Sequence, residues 1–169
     1  MTPELLKDLA PATFAALVIF AALRDLSTFT IPNWVSAALA AAFAPAALIS
    51  HMAWPDVGWH VALGLGMLVV AAVMFALGWI GGGDAKLAAA AALWLGPNPT
   101  SIMQFVFVTG LAGGALALSL VALRSAWLRP FTAAGPAWTR RLATPGESAP
   151  YGVAIAIGAL AAFAAHPLI

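Results

Sequence analysis

Charged residues are so rare in this chain that they punctuate it. Uncharged stretches run over residues 9–23, 26–55, 57–83, 87–123 and 148–169. A charge at the bilayer centre costs about 2.5–3.5 kcal/mol on insertion scales, so the charges mark the ends of membrane spans. Two stretches are too long for one helix, and each contains its own breaker. The first is Ile31-Pro32-Asn33, where Pro stops a helix and Asn can cap the next; the second is Gly96-Pro97-Asn98-Pro99-Thr100. The pattern therefore predicts six helices, at roughly 9–29, 34–51, 57–80, 84–95, 101–123 and 150–167. The fold class is all-α: a polytopic bundle of six transmembrane helices forming a single membrane-embedded domain over 1–169. Backbone groups in lipid must pair within their own segment, which makes helices the natural spanning element. Alanine runs at 37–42 and 88–92 favour helix and let helices approach closely.

Composition agrees, with 63% hydrophobic residues, 8% charged residues and a net charge of +1 over 169 residues. That charge is too small for a nucleic-acid footprint, and no nucleic-acid partner is expected. The absence of cysteine excludes a disulfide, a thiol nucleophile, an Fe–S cluster and a cysteine-based zinc site. Carboxylate, imidazole and hydroxyl chemistry remain. His51, His60 and His166 fall near the predicted outer ends of helices, without metal-binding helical spacing, and read as interface residues. No metal and no cofactor is expected.

The loops after the first, third and fifth spans hold Arg24, Lys86, Arg124, Arg129, Arg140 and Arg141, six of the seven basic residues. The positive-inside rule makes that face cytoplasmic and puts both termini outside. Trp34, Trp79 and Trp127 fall at inner ends and Trp54, Trp59 and Trp94 at outer ends, as in interfacial belts. Residues 124–149 read as an exposed loop whose arginines meet anionic membrane lipid.

Two carboxylates, Asp25 and Asp84, fall at the cytoplasmic ends of spans. Asp84 follows Gly81-Gly82-Gly83, a sequence that opens backbone conformations closed to other residues, lets another chain approach and frees amides to pair with an extended peptide. A span of 84–95 is only about 18 Å long at ~1.5 Å per residue, against a hydrocarbon core of ~30 Å. Asp84 is therefore expected below the inner surface, in a cavity. Two carboxyl groups sharing a proton supply a general base for water and a general acid for the leaving amine. Purely structural roles fit the same residues: Asp25 pairing with Arg24, and Asp84 capping its helix and pairing with Lys86.

The order Asp25, five residues, Ile31-Pro32-Asn33, then Gly81-Gly82-Gly83-Asp84-Ala85-Lys86-Leu87, and finally Pro150-Tyr151-Gly152, resembles the type IV prepilin peptidases, members of the GxGD intramembrane aspartyl proteases. The resemblance implies that Asp25 and Asp84 are the catalytic pair. It also implies that the short basic leader of prepilin or pseudopilin precursors is cut at the cytoplasmic face of the bacterial inner membrane. Gly81, Gly82, Gly83, Lys86, Pro32, Asn33 and Tyr151 are then substrate-binding or supporting residues. Lys86 matches the family's lysine and stands to tune the acid pair, orient the substrate or anchor the interface. Pro32 and Asn33 end one helix, cap the next and aim Asp25. Long members carry a further cytoplasmic domain, often with zinc-binding cysteines, and methylate the new N-terminus. This chain looks like the short, CpaA-type form that serves tight-adherence (Flp) pili without N-methyltransferase activity. It departs from the pattern at Ser27-Thr28-Phe29-Thr30, which is neutral where relatives often carry Arg or Lys. Two other functions use intramembrane acids or none: a small proton-coupled transporter, which favours inverted repeats and polar residues at the midplane, and a silent membrane scaffold.

Overall fold

A computed structural model describes residues 3–125 and 149–166, together with Arg140, Leu142 and Thr144. Among the described residues there are six helices and no strand: α1 (Pro3–Thr28), α2 (Asn33–Ile49), α3 (Trp54–Ala76), α4 (Gly82–Leu95), α5 (Pro99–Leu123) and α6 (Tyr151–Ala165). Leu9–Thr28, Trp54–Ala76 and Pro99–Leu123 are long and apolar enough to cross a membrane, while α2 and α6 are shorter apolar helices. This is an all-helical membrane protein. Most of the 124–149 loop, including Trp127, Arg129 and Arg141, lies outside the described residues.

Each helix end has a local cause. α1 stops at Phe29, which takes a left-handed φ of 56°, and Pro32 then sets the extended backbone that starts α2. At the end of α2, His51 is left-handed, and the amides of His51 and Met52 turn back to the carbonyls of Leu48 and Ala47. Gly78 does the same for α3, so this helix ends at Ala76, before Trp79. Between α4 and α5, Gly96 is left-handed, and the Asn98 side chain accepts the Thr100 amide at 3.0 Å with Pro99 opening the helix.

The bundle is built around α4. This 14-residue helix packs on α3, α2 and α6 and touches α1 and α5, and ten of its residues are buried. Its alanines at 88–92 are apolar on every side, as a helix enclosed on all sides must be. Around it runs an open ring, α2 on α1, α1 on α6 and α6 on α5, while α3 has its substantial packing on α4 alone. Among the described residues the ring is therefore open between α3 and α5.

Far from the acids, Phe14, Trp94 and Phe163 form an aromatic knot, with Phe14 and Phe163 stacked at 4.3 Å between centroids. Trp94 is not the interfacial residue its position in the sequence suggests. It is 1% exposed and donates its indole N–H to the Leu39 carbonyl at 2.8 Å. His60 likewise is buried: it stacks on Phe43, and its Nδ1 donates to the Leu93 carbonyl at 2.7 Å. Trp34, Trp54, Trp59 and Trp79 are exposed, as an interfacial belt requires.

Gly158 makes the α5–α6 contact possible. A Cβ there would overlap Thr109 Oγ1 and lie 2.8 Å from the Phe105 carbonyl oxygen. The backbone of α5 cannot yield as a side-chain tip does. Gly158→Ala is expected to destabilise the protein by about 1–3 kcal/mol, the usual range for overpacking. Thermal unfolding in detergent measures it, and a melting point equal to wild type contradicts the packing argument.

Candidate active site

Asp84 sits in the first turn of α4, 7% exposed, and its Oδ2 accepts the Gly81 amide at 3.1 Å. The bond satisfies one of the amides that a helix start leaves unpaired. The capping role that Asp84 suggests as a purely structural residue is therefore real, but it engages one oxygen.

Asp25 comes from the last turn of α1, 4% exposed, and its Oδ2 accepts the Gly152 amide from the start of α6 at 2.7 Å. Gly152 is glycine for a steric reason, since a Cβ there would lie 2.8 Å from Asp25 Oδ2 and 2.7 Å from Ile31 Cδ1. Neither acid forms an ion pair among the described residues, so the pairings with Arg24 and Lys86 are not what the structure contains.

Ile31 brings the two acids together. It is the buried residue of the α1–α2 connection. On one side it touches Gly152, beside Asp25; on the other, a Cβ on Gly83 would lie 3.0 Å from Ile31 Cβ and 3.1 Å from its carbonyl oxygen. Ile31 is thus a wedge gripped by the glycines that neighbour each acid. The two acids thus flank one residue, Asp25 by way of Gly152 and Asp84 by way of Gly83. Each holds its Oδ2 on a backbone amide, and neither Oδ1 has a hydrogen-bond partner among the described residues.

The other predicted residues divide between two places. Tyr151 lies by the acids, its ring against Gly113, and lines a cleft of about 470 Å³ between α3 and α5 with Ala71, Met74, Ala88 and Gly110. Neither acid lines this cleft, but Ala88 is one helical turn beyond Asp84 on the same face and Tyr151 precedes the Gly152 that holds Asp25, so the cleft comes within a turn of the site. Lys86 lies elsewhere. Two residues on from Asp84 it is turned about 200° round α4, and its ammonium donates to Asn33 Oδ1 at 2.7 Å. Asn33 therefore does not cap α2; Pro32 occupies the cap position and the amide of Asn33 meets Lys86 instead. Among the described residues no group of three or more His, Asp or Glu side chains converges as a metal site requires.

One family model, described as the type IV leader peptidase family, matches the chain over residues 12–118. That is more than half of the chain. The chain belongs to the type IV leader peptidase family. Its function is accordingly that of a leader peptidase, with prepilins as its substrates. No curated protein and no solved structure matches the chain. In this leader peptidase the matched segment carries Asp25, Pro32, Asn33, Gly81-Gly82-Gly83, Asp84 and Lys86 but stops before α6. The amide that holds Asp25 comes from beyond it.

The part played by Ile31 and Gly152 cannot be seen in the sequence, although Ile31 stands in Ile31-Pro32-Asn33 and Gly152 in Pro150-Tyr151-Gly152. A glycine in the first turn of a helix, right after a proline and an aromatic residue, is the available signal, because first-turn amides have no partner within the helix.

Proposed function

We propose that this leader peptidase is an aspartyl enzyme that works through Asp25 and Asp84, and that it removes the leader of Flp-type prepilins at the cytoplasmic face of the inner membrane without methylating the product. The observation that carries the reading is the pair of buried carboxyl groups, each fixed by one backbone amide and each with its second oxygen unengaged among the described residues. Sharing one proton, the pair takes a proton from water as the water oxygen attacks the scissile carbonyl. It then returns a proton to the leaving nitrogen as the C–N bond breaks. The fixed amides hold both carboxyl groups so that little reorganisation accompanies the reaction.

The cleft between α3 and α5 supports a lateral approach for the precursor. It is apolar, opens beside Tyr151 within a helical turn of Asp84, and its α5 wall carries Gly110, Gly113 and Gly114, which let another helix come close. The apolar stretch of the precursor lies there, with its scissile bond at the acids.

The test is cleavage of an Flp-type prepilin by purified protein in detergent containing a chelator, followed by N-terminal sequencing and mass of the product. One cut after the basic leader and an unmethylated N-terminus are expected. Activity that disappears in chelator and returns only with zinc overturns the aspartyl mechanism. Orientation is tested separately. A reporter at Arg140 is expected to signal from the cytoplasm and one fused after His166 from outside, and a cytoplasmic signal from the second removes a span from this topology.

A further inference from the structure

A second groove, of about 480 Å³, lies between α2, α3 and α4. Its volume falls within the ~300–1,000 Å³ of ligand pockets. The walls are apolar, formed by Ala37, Ala40, Leu65, Leu68 and Leu93, and Leu65 and Leu68 are exposed on the outer surface of the bundle. One end is polar, where Lys86, Asn33 and Ser36 meet.

The polar end is incomplete in two respects. Ser36 is 6% exposed and its Oγ has no hydrogen-bond partner among the described residues. A helical serine usually escapes this by bonding back to the carbonyl four residues earlier, and Ser36 does not; a buried hydroxyl left unpaired costs about 1–3 kcal/mol. Lys86, meanwhile, has a neutral amide oxygen as its partner and no anion among the described residues. A ligand that repairs both offers anionic oxygen at one end and hydrocarbon behind it.

We propose that the α2–α3–α4 groove holds one anionic phospholipid. Its phosphate oxygens engage Lys86, Asn33 and Ser36, and an acyl chain runs along Ala37, Ala40, Leu65 and Leu68. Position favours lipid over peptide. Lys86, Ala89, Ala90 and Leu93 line the groove from the face of α4 turned about 200° away from Asp84, so a peptide lying in it does not present its bond to the acids. The groove also opens on the surface carrying exposed Leu65 and Leu68, where hydrocarbon is the solvent. Bound lipid wedges α3 against α2, two helices with no substantial packing of their own.

The test uses the full chain, purified in detergent and titrated with phosphatidylglycerol or with phosphatidylcholine of the same acyl chains, with bound lipid counted by native mass spectrometry. One phosphatidylglycerol is expected to bind about tenfold more tightly than phosphatidylcholine, whose phosphate offers the same oxygens but carries a choline ammonium that the Lys86 charge repels. Lys86→Gln should erase that preference and Lys86→Arg should keep it, while Ala40→Trp, which fills the apolar wall, should weaken both lipids. Lys86 is exposed, so its variants decide the matter even where Ala40→Trp does not accumulate. Equal preference in wild type and Lys86→Gln overturns the site. So does one-for-one displacement of phosphatidylglycerol by a prepilin, which makes the groove a substrate seat instead.

Discussion

Asp25→Asn and Asp84→Asn are each expected to lower precursor cleavage by about 10²–10⁴-fold, the range associated with loss of a general acid or base. An amide has nearly the shape of a carboxyl group but takes no proton from water. Its oxygen can still accept the Gly152 or Gly81 amide, so the local structure should survive. The double variant is expected to be little worse than either single one, because two members of one acid–base pair fail together. Asp56→Asn is the matched control; this exposed residue opens α3 at the far end of the bundle and should process precursor normally. Initial rates of leader removal measure the effect, with membrane accumulation of each variant followed in parallel. Appreciable processing by Asp84→Asn defeats the assignment. Loss of protein rather than of turnover returns both acids to a structural role.

A single methyl group at Gly152 is expected to lower cleavage about 10²-fold, the cost of misplacing a reacting group by roughly an ångström. Its Cβ would lie 2.8 Å from Asp25 Oδ2 and 3.1 Å from Asp25 Cβ, distances at which something must move. Ile31 blocks the other direction, at 2.7 Å. The carboxyl group is the more mobile partner, so Gly152→Ala should turn Asp25 away from its amide and from Asp84. Gly66→Ala adds the same methyl where nothing lies within 4 Å and should behave as wild type. Steady-state rates on one prepilin separate the two variants. Full activity in Gly152→Ala means that Asp25 does not need the position described.

The sequence shows the ends of the helices more clearly than it shows what they face. Charges and proline-glycine clusters locate the breaks because each acts within a few residues: Pro32 by its fixed φ, Gly78 and Gly96 by their left-handed backbone, Asn98 by its cap. Asp25 and Asp84 stand out for the same local reason, as carboxyl groups where membrane spans end. Depth along a span says nothing of direction round it, however. Trp94 and His60 lie at the depth of an interface yet face inward, because α4, to which Trp94 belongs and against which His60 packs, is the central helix. Lys86 and Asp84 are neighbours in the motif yet face opposite ways, and their proximity in sequence suggests a partnership that the helix prevents. Gly152 and Asp25, by contrast, are joined only by the fold.

The central helix is smooth. Over residues 88–92 it offers only alanine, so along that stretch its five neighbours find no large side chain to fix its position along the axis. It is held instead by its ends: Gly83 against the Ile31 backbone at one end, and at the other the Trp94 indole on Leu39 and the His60 ring, which bonds Leu93 and rests on Gly96. The axial register of Asp84 is therefore set partly by side chains about 15–18 Å away, at ~1.5 Å per residue. Small substitutions along the middle of α4 are neutral in this respect. Inserting or deleting one residue there must break one set of pins or displace the acid, so α4 is held to its length as strictly as to the small side chains of its buried middle.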